Sequence, residues 1–525
     1  MGKPRLPSQK KAYKELSKRL AGYMVQVRNI YDRINERVAS AVESVGYDGI
    51  GEFSFSDYPE MSSSLQAIQR QFVGEMRSLI YSGTSAEWKN SNVFQDLVAN
   101  KVLKYYHAQV AGERFKHYFQ NNSDQLRAFQ ARKERGLNLS AKLWKQSEVY
   151  KESIEATIST AMEKGMSAIT LSKRLSKYLH DWPSLQADYQ EKYGKATRCY
   201  DCEYRSIRLA RNEINIAYRT AEQERWRKLD FILGYKIKLS SSHPRYDICD
   251  ELVGDYPKDF KFVGWHPNCL CYTVPIVMSE EEYWADDVNN SQNLITAPPE
   301  GFGKWIDKAE NLERIGKANE RGTLPYWLRD NEKIRDCSLL MAKARKVGGT
   351  IQNQAETIAK KYGGVVTPIN YKGFSSMYRK LGSEKDMLVS DIKDSVRNTI
   401  IVEKGNIGKV VKELQSLPTF SRYKQQAPED FCGYSGNIIN LKMPNGIQAE
   451  IQVNTPKMIY AKETEANARR ILGDRVWEQI ANETGVQGGL GHKYYEEMRV
   501  LDKGKDETKI AELTKLSKSY YAHFQ

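Results

Sequence analysis

Asn437-Ile438-Ile439-Asn440-Leu441-Lys442-Met443, followed by Pro444-Asn445-Gly446 and then Ile447-Gln448-Ala449-Glu450-Ile451-Gln452-Val453, reads as a β-hairpin. Asn-Gly supplies the backbone that a tight turn requires, and the second arm alternates without a break. Period two sends Ile447, Ala449, Ile451 and Val453 toward a core and leaves Gln448, Glu450, Gln452 and Asn454 on the other, open face. Upstream, the pattern predicts a helix over 352–362, a strand over 365–369, a helix starting near Lys372, a strand over 398–402 and a helix over 407–417. Helices finish the chain. This order predicts an α+β domain with a mixed sheet across residues 351–525.

The N-terminal side has a different texture. Tyr13, Leu16, Leu20, Tyr23, Val27, Ile30, Ile34, Val38 and Val42 recur every three or four residues, the mark of an amphipathic helix. Further helices are expected over 61–82, 97–121, 141–179 and 204–229. Short β-like runs follow at 231–239 and 272–277, with His, Cys, Gly and Pro between them. Residues 281–350 are polar and irregular and read as a linker. The expectation is a multidomain chain. A helical region spans 1–140, a mainly α region with a small β, zinc-like subdomain spans 141–280, and the α+β domain follows the linker.

The chain has 525 residues, too many for one ordinary core, and its 28% charged residues argue against wholesale disorder. Its net charge of +14 is spread along the chain: residues 346–525 hold 27 Lys+Arg against 21 Asp+Glu. A basic balance suits nucleotide phosphates or nucleic acid, and equally a merely soluble surface. The polar opening Met1-Gly2-Lys3-Pro4 carries no apolar segment, so no secretory leader is expected. No run approaches the ~18 apolar residues of a membrane span, so no membrane partner is expected. Seven cysteines suggest thiols or a metal site before a disulfide framework.

Four soft ligands, Cys249, His266, Cys269 and Cys271, fall within one loop-rich stretch that includes His266-Pro267-Asn268-Cys269-Leu270-Cys271. Zinc takes four such ligands in a tetrahedron. Reduced cysteines packed around Trp265 are the plain alternative. Cys199 and Cys202 form a Cys-x-x-Cys with no matching pair.

In the second half, Lys372, Ser376 and Lys380 are spaced i, i+4, i+8, which on a helix forms one stripe suited to a triphosphate. A solvated basic face has the same spacing. Asp394, with Asp391 as fallback, stands at the lip of the next strand, where an acid can hold magnesium and Arg397 can clamp phosphate. An ordinary strand-leading turn with an ion pair would look alike. Tyr434, after Gly433, offers a ring on which a base can stack.

Arg211-Asn212-Glu213 on a long helix, then Gly234, Cys249-Asp250, Gly254 and the His266–Cys271 box, resemble the Mu F-like family of phage minor head proteins, with Leu270 where that family has Arg. The resemblance covers about residues 140–277. It implies a head-morphogenesis capsid protein that meets the portal and phage DNA in the virion, with no catalysis there. Lys372, Ser376, Lys380, Gly433-Tyr434, Glu450-Ile451-Gln452 and the helix from His492 to Arg499 resemble the RelA/SpoT-like pyrophosphokinase family, toxin-associated relatives included. That resemblance covers about residues 352–500. It implies a nucleotidyltransferase-like fold that moves pyrophosphate from ATP to a nucleotide or a tRNA 3′ end. Lys372, Ser376, Lys380 and Arg397 would bind phosphate, and Asp394 and Glu450 would hold Mg2+ and act in catalysis. Tyr434, Gln452 and His492 would meet the acceptor. Asn370 stands where the family has Arg, and Ile438 where it has His. Together the two resemblances imply a polymorphic toxin or alarmone synthetase carried by a phage particle into the bacterial host cytoplasm, with an immunity protein as a candidate partner. The rivals are a purely structural head protein with a degenerate C-terminal domain and a DNA-binding packaging protein.

Overall fold

The computed structural model describes residues 4–108, 113–197, 201–286, 288, 291–383, 387–430, 432–499, 501, 504 and 506–525. It divides into two compact units. The first runs to Phe302 and takes back Pro325–Asn331; the second comprises Gly303–Leu324 and Glu332–Gln525. Among the described residues no helix is long and apolar enough to cross a membrane.

The first unit is built on long helices. Gln9–Ser44 starts at an N-cap, Ser8, whose side chain accepts from Lys11 N–H, and buries the stripe expected from the sequence. The helices expected at 61–82 and 97–121 are one helix, Ser62–Tyr105. Its middle escapes a hydrophobic reading because the buried face there is polar. Glu87, Asn92 and Gln95 are fully buried and partnered, Glu87 by Arg19 and Gln95 by Glu222. Gly83 lets this helix approach Cys202–Lys228, because a Cβ there would fall 2.6 Å from Ile214. The stretch expected as one helix over 141–179 is two, Leu139–Ala161 and Ala168–His180, parted at Gly165 (φ +78°) and restarted by the Ser167 cap. Beyond Cys202–Lys228 lies an antiparallel sheet with β1 (Ile232–Lys238) between β2 (Gly254–Pro257) and β3 (Tyr272–Val277). β2 has no counterpart in the sequence reading, since Gly254-Asp255-Tyr256-Pro257 shows no strand pattern.

Residues 281–350, read as a linker, carry helices at Glu300–Asp307, Ala309–Glu320 and Tyr326–Arg329 and more than half of Glu332–Lys361. The last helix faces the core with Ala344, Gly348, Ile351, Ala355 and Ile358, and the small Ala342, Ala344 and Gly348 interrupt its apolar periodicity before Ile351.

The second unit holds the mixed sheet. Its strands are β4 (Val365–Val366), β5 (Asn370–Tyr371), β6 (Val396–Ile401), β7 (Phe420–Gln426), β8 (Gly436–Lys442) and β9 (Gln448–Asn454), in the order β4-β6-β9-β8-β7 with β5 also on β6. β6 and β9 are parallel and the other pairs antiparallel. β8 and β9 are the hairpin with which the sequence reading began. Gly446 takes φ +83°, and the Asn445 side chain accepts from Ile447 N–H at 3.2 Å. Ile439, Ala449, Ile451 and Val453 join Ile351, Ala355 and Ile358 of Glu332–Lys361 in one core. The opposite sheet face carries Arg397, Asn440 and Glu450, which lie in register across β6, β9 and β8.

Candidate functional site

On that face a groove of about 800 Å³ opens within the second unit. Its lining includes Lys372, Ser376, Lys380, Asp394, Arg397, Tyr434, Gln452 and His492, gathered from 120 residues of sequence onto one surface.

The phosphate-binding stripe is not carried by one helix. The helix runs Phe374–Ser383, so Ser376 and Lys380 lie on it while Lys372 sits in the two-residue step from β5. Lys372 N–H donates to Ser395 O at 3.0 Å, which fixes it beside Asp394. The start of the helix is occupied, as Phe374 N–H donates to Asp307 Oδ1 at 2.8 Å. A carboxylate is a favourable cap for a helix N-terminus.

Asp394 is the charge centre of this end. Lys372 Nζ donates to its Oδ2 at 2.5 Å, and Lys380 Nζ lies 3.5 Å from Oδ1. Burial pushes this carboxyl up, but the bond from Lys372 and the charges of Lys372, Lys380 and Arg397 outweigh it and hold Asp394 below its ordinary value. Asp391, the fallback, instead accepts from Leu388 N–H and closes its own turn.

Glu450 is not open to solvent, as the alternation on β9 had implied. It is 9% exposed, and its carboxylate accepts from Gln452 Nε2 at 2.7 Å; Gln452 is the side chain that reaches the groove. It is sheltered because Arg397 and Asn440 flank it in register on both neighbouring strands.

At the other end, Tyr434 follows Gly433, whose φ of +72° and closeness to the Lys518 backbone exclude a side chain. The Tyr434 hydroxyl accepts from Asn454 Nδ2 at 2.7 Å, the ring meets Tyr521 edge-on, and Lys462 Nζ lies 5.5 Å from the ring centroid. A stacked base therefore shares this ring with a cation. His492 lies on Leu490–Arg499, 3.8 Å from Glu496, which also pairs with Arg499 at 2.5 Å. Ile438 and Asn370 line the groove at the positions where His and Arg were expected from the resemblance.

The sequence reading missed Arg379 and Lys462, which also line the groove, as do Tyr495 and Arg499 of the helix that the resemblance had singled out. Arg379 had a signal, since seven residues from Lys372 return to the same side of a helix. Lys462 is a single residue brought in by topology.

In the first unit, the Sγ atoms of Cys249, Cys269 and Cys271 lie within 4.8 Å of one another, and His266 Nε2 is 3.1 Å from Cys249 Sγ. Cys202 is apart from them, buried and 3.3 Å from Ser153 Oγ; Cys199 lies outside the described residues.

No family model matches the chain. Over 179 residues it is 37% identical to the (p)ppApp synthetase toxin Tas1 of Pseudomonas aeruginosa (strain UCBPP-PA14), a match covering 34% of this chain and 40% of Tas1. The chain thus spans well under half the length of that relative. Among solved structures it matches a chain in the complex between the Type VI effector Tas1 and its immunity protein, at 36% identity, over 36% of this chain and 96% of that one, with a TM-score of 0.32. Over about a third of its length, the chain is homologous to Tas1.

Proposed function

We propose, on the strength of that homology, that the C-terminal unit is a toxin that transfers the pyrophosphoryl group of ATP to a ribose hydroxyl of an adenine nucleotide. The observation that carries the reading is the convergence of Lys372, Ser376, Lys380, Asp394 and Arg397 on the groove that also holds Tyr434, Gln452 and His492. In a RelA/SpoT-type pyrophosphokinase the acceptor oxygen bonds to the β-phosphorus of ATP, the bond from that phosphorus to the α-bridging oxygen breaks, and AMP leaves.

Lys372, Lys380 and Arg397 take the phosphates and Ser376 donates its hydroxyl to them. Asp394, which pairs with both lysines when the groove is empty, gives them up to the nucleotide. Asp394 and Glu450 are the carboxylates available to Mg2+, which would neutralise charge on the transferred group. Glu450 accepts the proton of the acceptor hydroxyl once Gln452 turns toward the substrate. Tyr434 stacks on the acceptor base, and Gln452 and His492 contact the acceptor.

For the first unit we propose the Mu F-like head-protein role, with portal and capsid proteins and phage DNA as partners. The order of motifs from Arg211 to Cys271 supports it. A toxin riding in a virion would act in the host cytoplasm and would need an immunity protein in its producer, as Tas1 has. Induced expression of the whole chain in a bacterium tests the toxin reading. Growth should stop, Asp394→Asn should relieve the arrest, and an arrest unaffected by that substitution contradicts it.

A further inference from the structure

We propose that Cys249, His266, Cys269 and Cys271 form a structural zinc site that ties the Ile248–Glu251 turn to the stretch from His266 to Cys271 within the irregular segment between β1 and β3. The proposal stands on the first unit alone and is independent of the pyrophosphate chemistry.

The geometry suits a tetrahedral ion. Zinc–sulfur bonds of ~2.3 Å place neighbouring sulfurs ~3.8 Å apart. Cys249 Sγ and Cys269 Sγ are 3.8 Å apart, all three sulfurs lie within 4.8 Å, and the three cysteines are buried and unoxidised. The fourth ligand, His266 Nε2, is 3.1 Å from Cys249 Sγ. Its other ring nitrogen, Nδ1, is 2.8 Å from Pro267 O, an arrangement that donates from Nδ1 and leaves the Nε2 lone pair for a metal, with Asp247 Oδ2 3.3 Å from the same nitrogen.

The backbone is shaped around these ligands. Asn268 takes φ +65°, and Cys269 N–H donates to His266 O at 3.1 Å, a tight turn that links His266 to Cys269. Gly264 has φ +124°, and a Cβ there would come within 3.2 Å of Cys269 Cβ. Cys249 comes from the other side, on Ile248–Glu251, which is capped by Asp247.

Charge supplies an independent argument. Arg219 is 2% exposed, and its hydrogen bonds go to Asn215 Oδ1 and to the carbonyls of Cys269 and Cys271, at 3.1 and 2.7 Å for the latter two. Among the described residues no carboxylate forms an ion pair with this guanidinium; Glu222, the buried acid that acts on it electrostatically, is hydrogen-bonded instead to Tyr13, Gln95 and Thr273. Three thiolates, one imidazole and Zn2+ carry a net charge of −1, which supplies a counter-charge. A rival set, His243, Asp247 and Cys249, is also clustered, but it offers only one thiolate, and His243 Nε2 is already 2.9 Å from Asp250 Oδ2.

The test is elemental analysis of the full-length chain after exchange into metal-free buffer. About one zinc per chain is expected. Cys269→Ser and His266→Ala should each lose it, and His243→Ala should keep it. Cobalt in place of zinc in the wild-type chain should give the intense visible bands of a tetrahedral thiolate site. This readout holds even where a cysteine variant fails to fold. A wild-type chain that holds no zinc and gives no such cobalt spectrum overturns the proposal, as does zinc retained in Cys269→Ser or lost in His243→Ala.

Discussion

Glu450→Gln removes one charge and almost no volume from β9, next to the groove-lining Gln452. The side chain is 9% exposed, and its acceptor role toward Gln452 Nε2 passes to the amide oxygen of the new glutamine. What the fold loses is the difference between a charged and a neutral acceptor, about 1 kcal/mol. What the reaction loses is larger. A positioned general base contributes ~100- to 10,000-fold, equivalent to about 3–5 kcal/mol of barrier, and one candidate magnesium ligand goes with it. The expected outcome is kcat down by at least ~100-fold, with the affinity for a non-transferable ATP analogue within ~3-fold of the parent. Single-turnover kinetics with labelled ATP give the first quantity and calorimetric titration of the analogue the second. A folded Glu450→Gln chain that turns over within ~10-fold of the parent refutes the assignment of Glu450 as the base.

Lys380→Ala should weaken ATP binding by ~10-fold, measured by the same titration, because it removes a phosphate contact and leaves the acceptor end intact. Tyr434→Ala should raise the acceptor KM by ~10-fold or more while Tyr434→Phe leaves it nearly unchanged, since stacking on a ring is worth ~1–3 kcal/mol and needs no hydroxyl. Asp394→Asn should destabilise β6 by ~2 kcal/mol at neutral pH, read by hydrogen exchange over Val396–Ile401, because two lysines lose their shared partner, and both Asp394 and Lys372 are less than a fifth exposed. The same carboxyl sets a pH dependence. Its folded value lies below the ~3.9 of an unfolded chain, so its contribution is complete above that value and is lost as pH falls through the depressed one. The parent's excess protection over Asp394→Asn should therefore vanish in acid; an excess that grows in acid contradicts the pairing. Asp307→Ala should cost about 1 kcal/mol by uncapping Phe374–Ser383, and should raise the KM for ATP through Ser376 and Lys380.

The groove was legible in the sequence where chemistry and local pattern coincide. The hairpin announced β8 and β9 through Asn445-Gly446 and strict alternation, and the four-residue spacing brought Ser376 and Lys380 together on one helix. Lys372 deceived, because the spacing that reads as a helical stripe begins in the turn before the helix. Glu450 deceived differently. Its strand told which face it occupies, but its shelter comes from Arg397 and Asn440 on other strands, which only the register reveals. The part of Glu332–Lys361 before residue 352 and the middle of Ser62–Tyr105 were hidden because small or hydrogen-bonded polar side chains, Ser338, Ala342, Ala344 and Gly348 in the one and Glu87, Asn92 and Gln95 in the other, interrupt the apolar faces. Lys462 carried no local signal, because what makes it a groove residue is the return of the C-terminal helices to the sheet.

Pyrophosphoryl transfer is read from the fate of the β-phosphate. The full-length chain is incubated with magnesium and ATP labelled at the β-position, with an adenine nucleotide as acceptor, and the products are separated. The account predicts unlabelled AMP from the donor and a product carrying the labelled pyrophosphate on the acceptor ribose, formed by the parent and not by Glu450→Gln. Label that remains in ATP, or that appears only in ADP or free pyrophosphate, contradicts it.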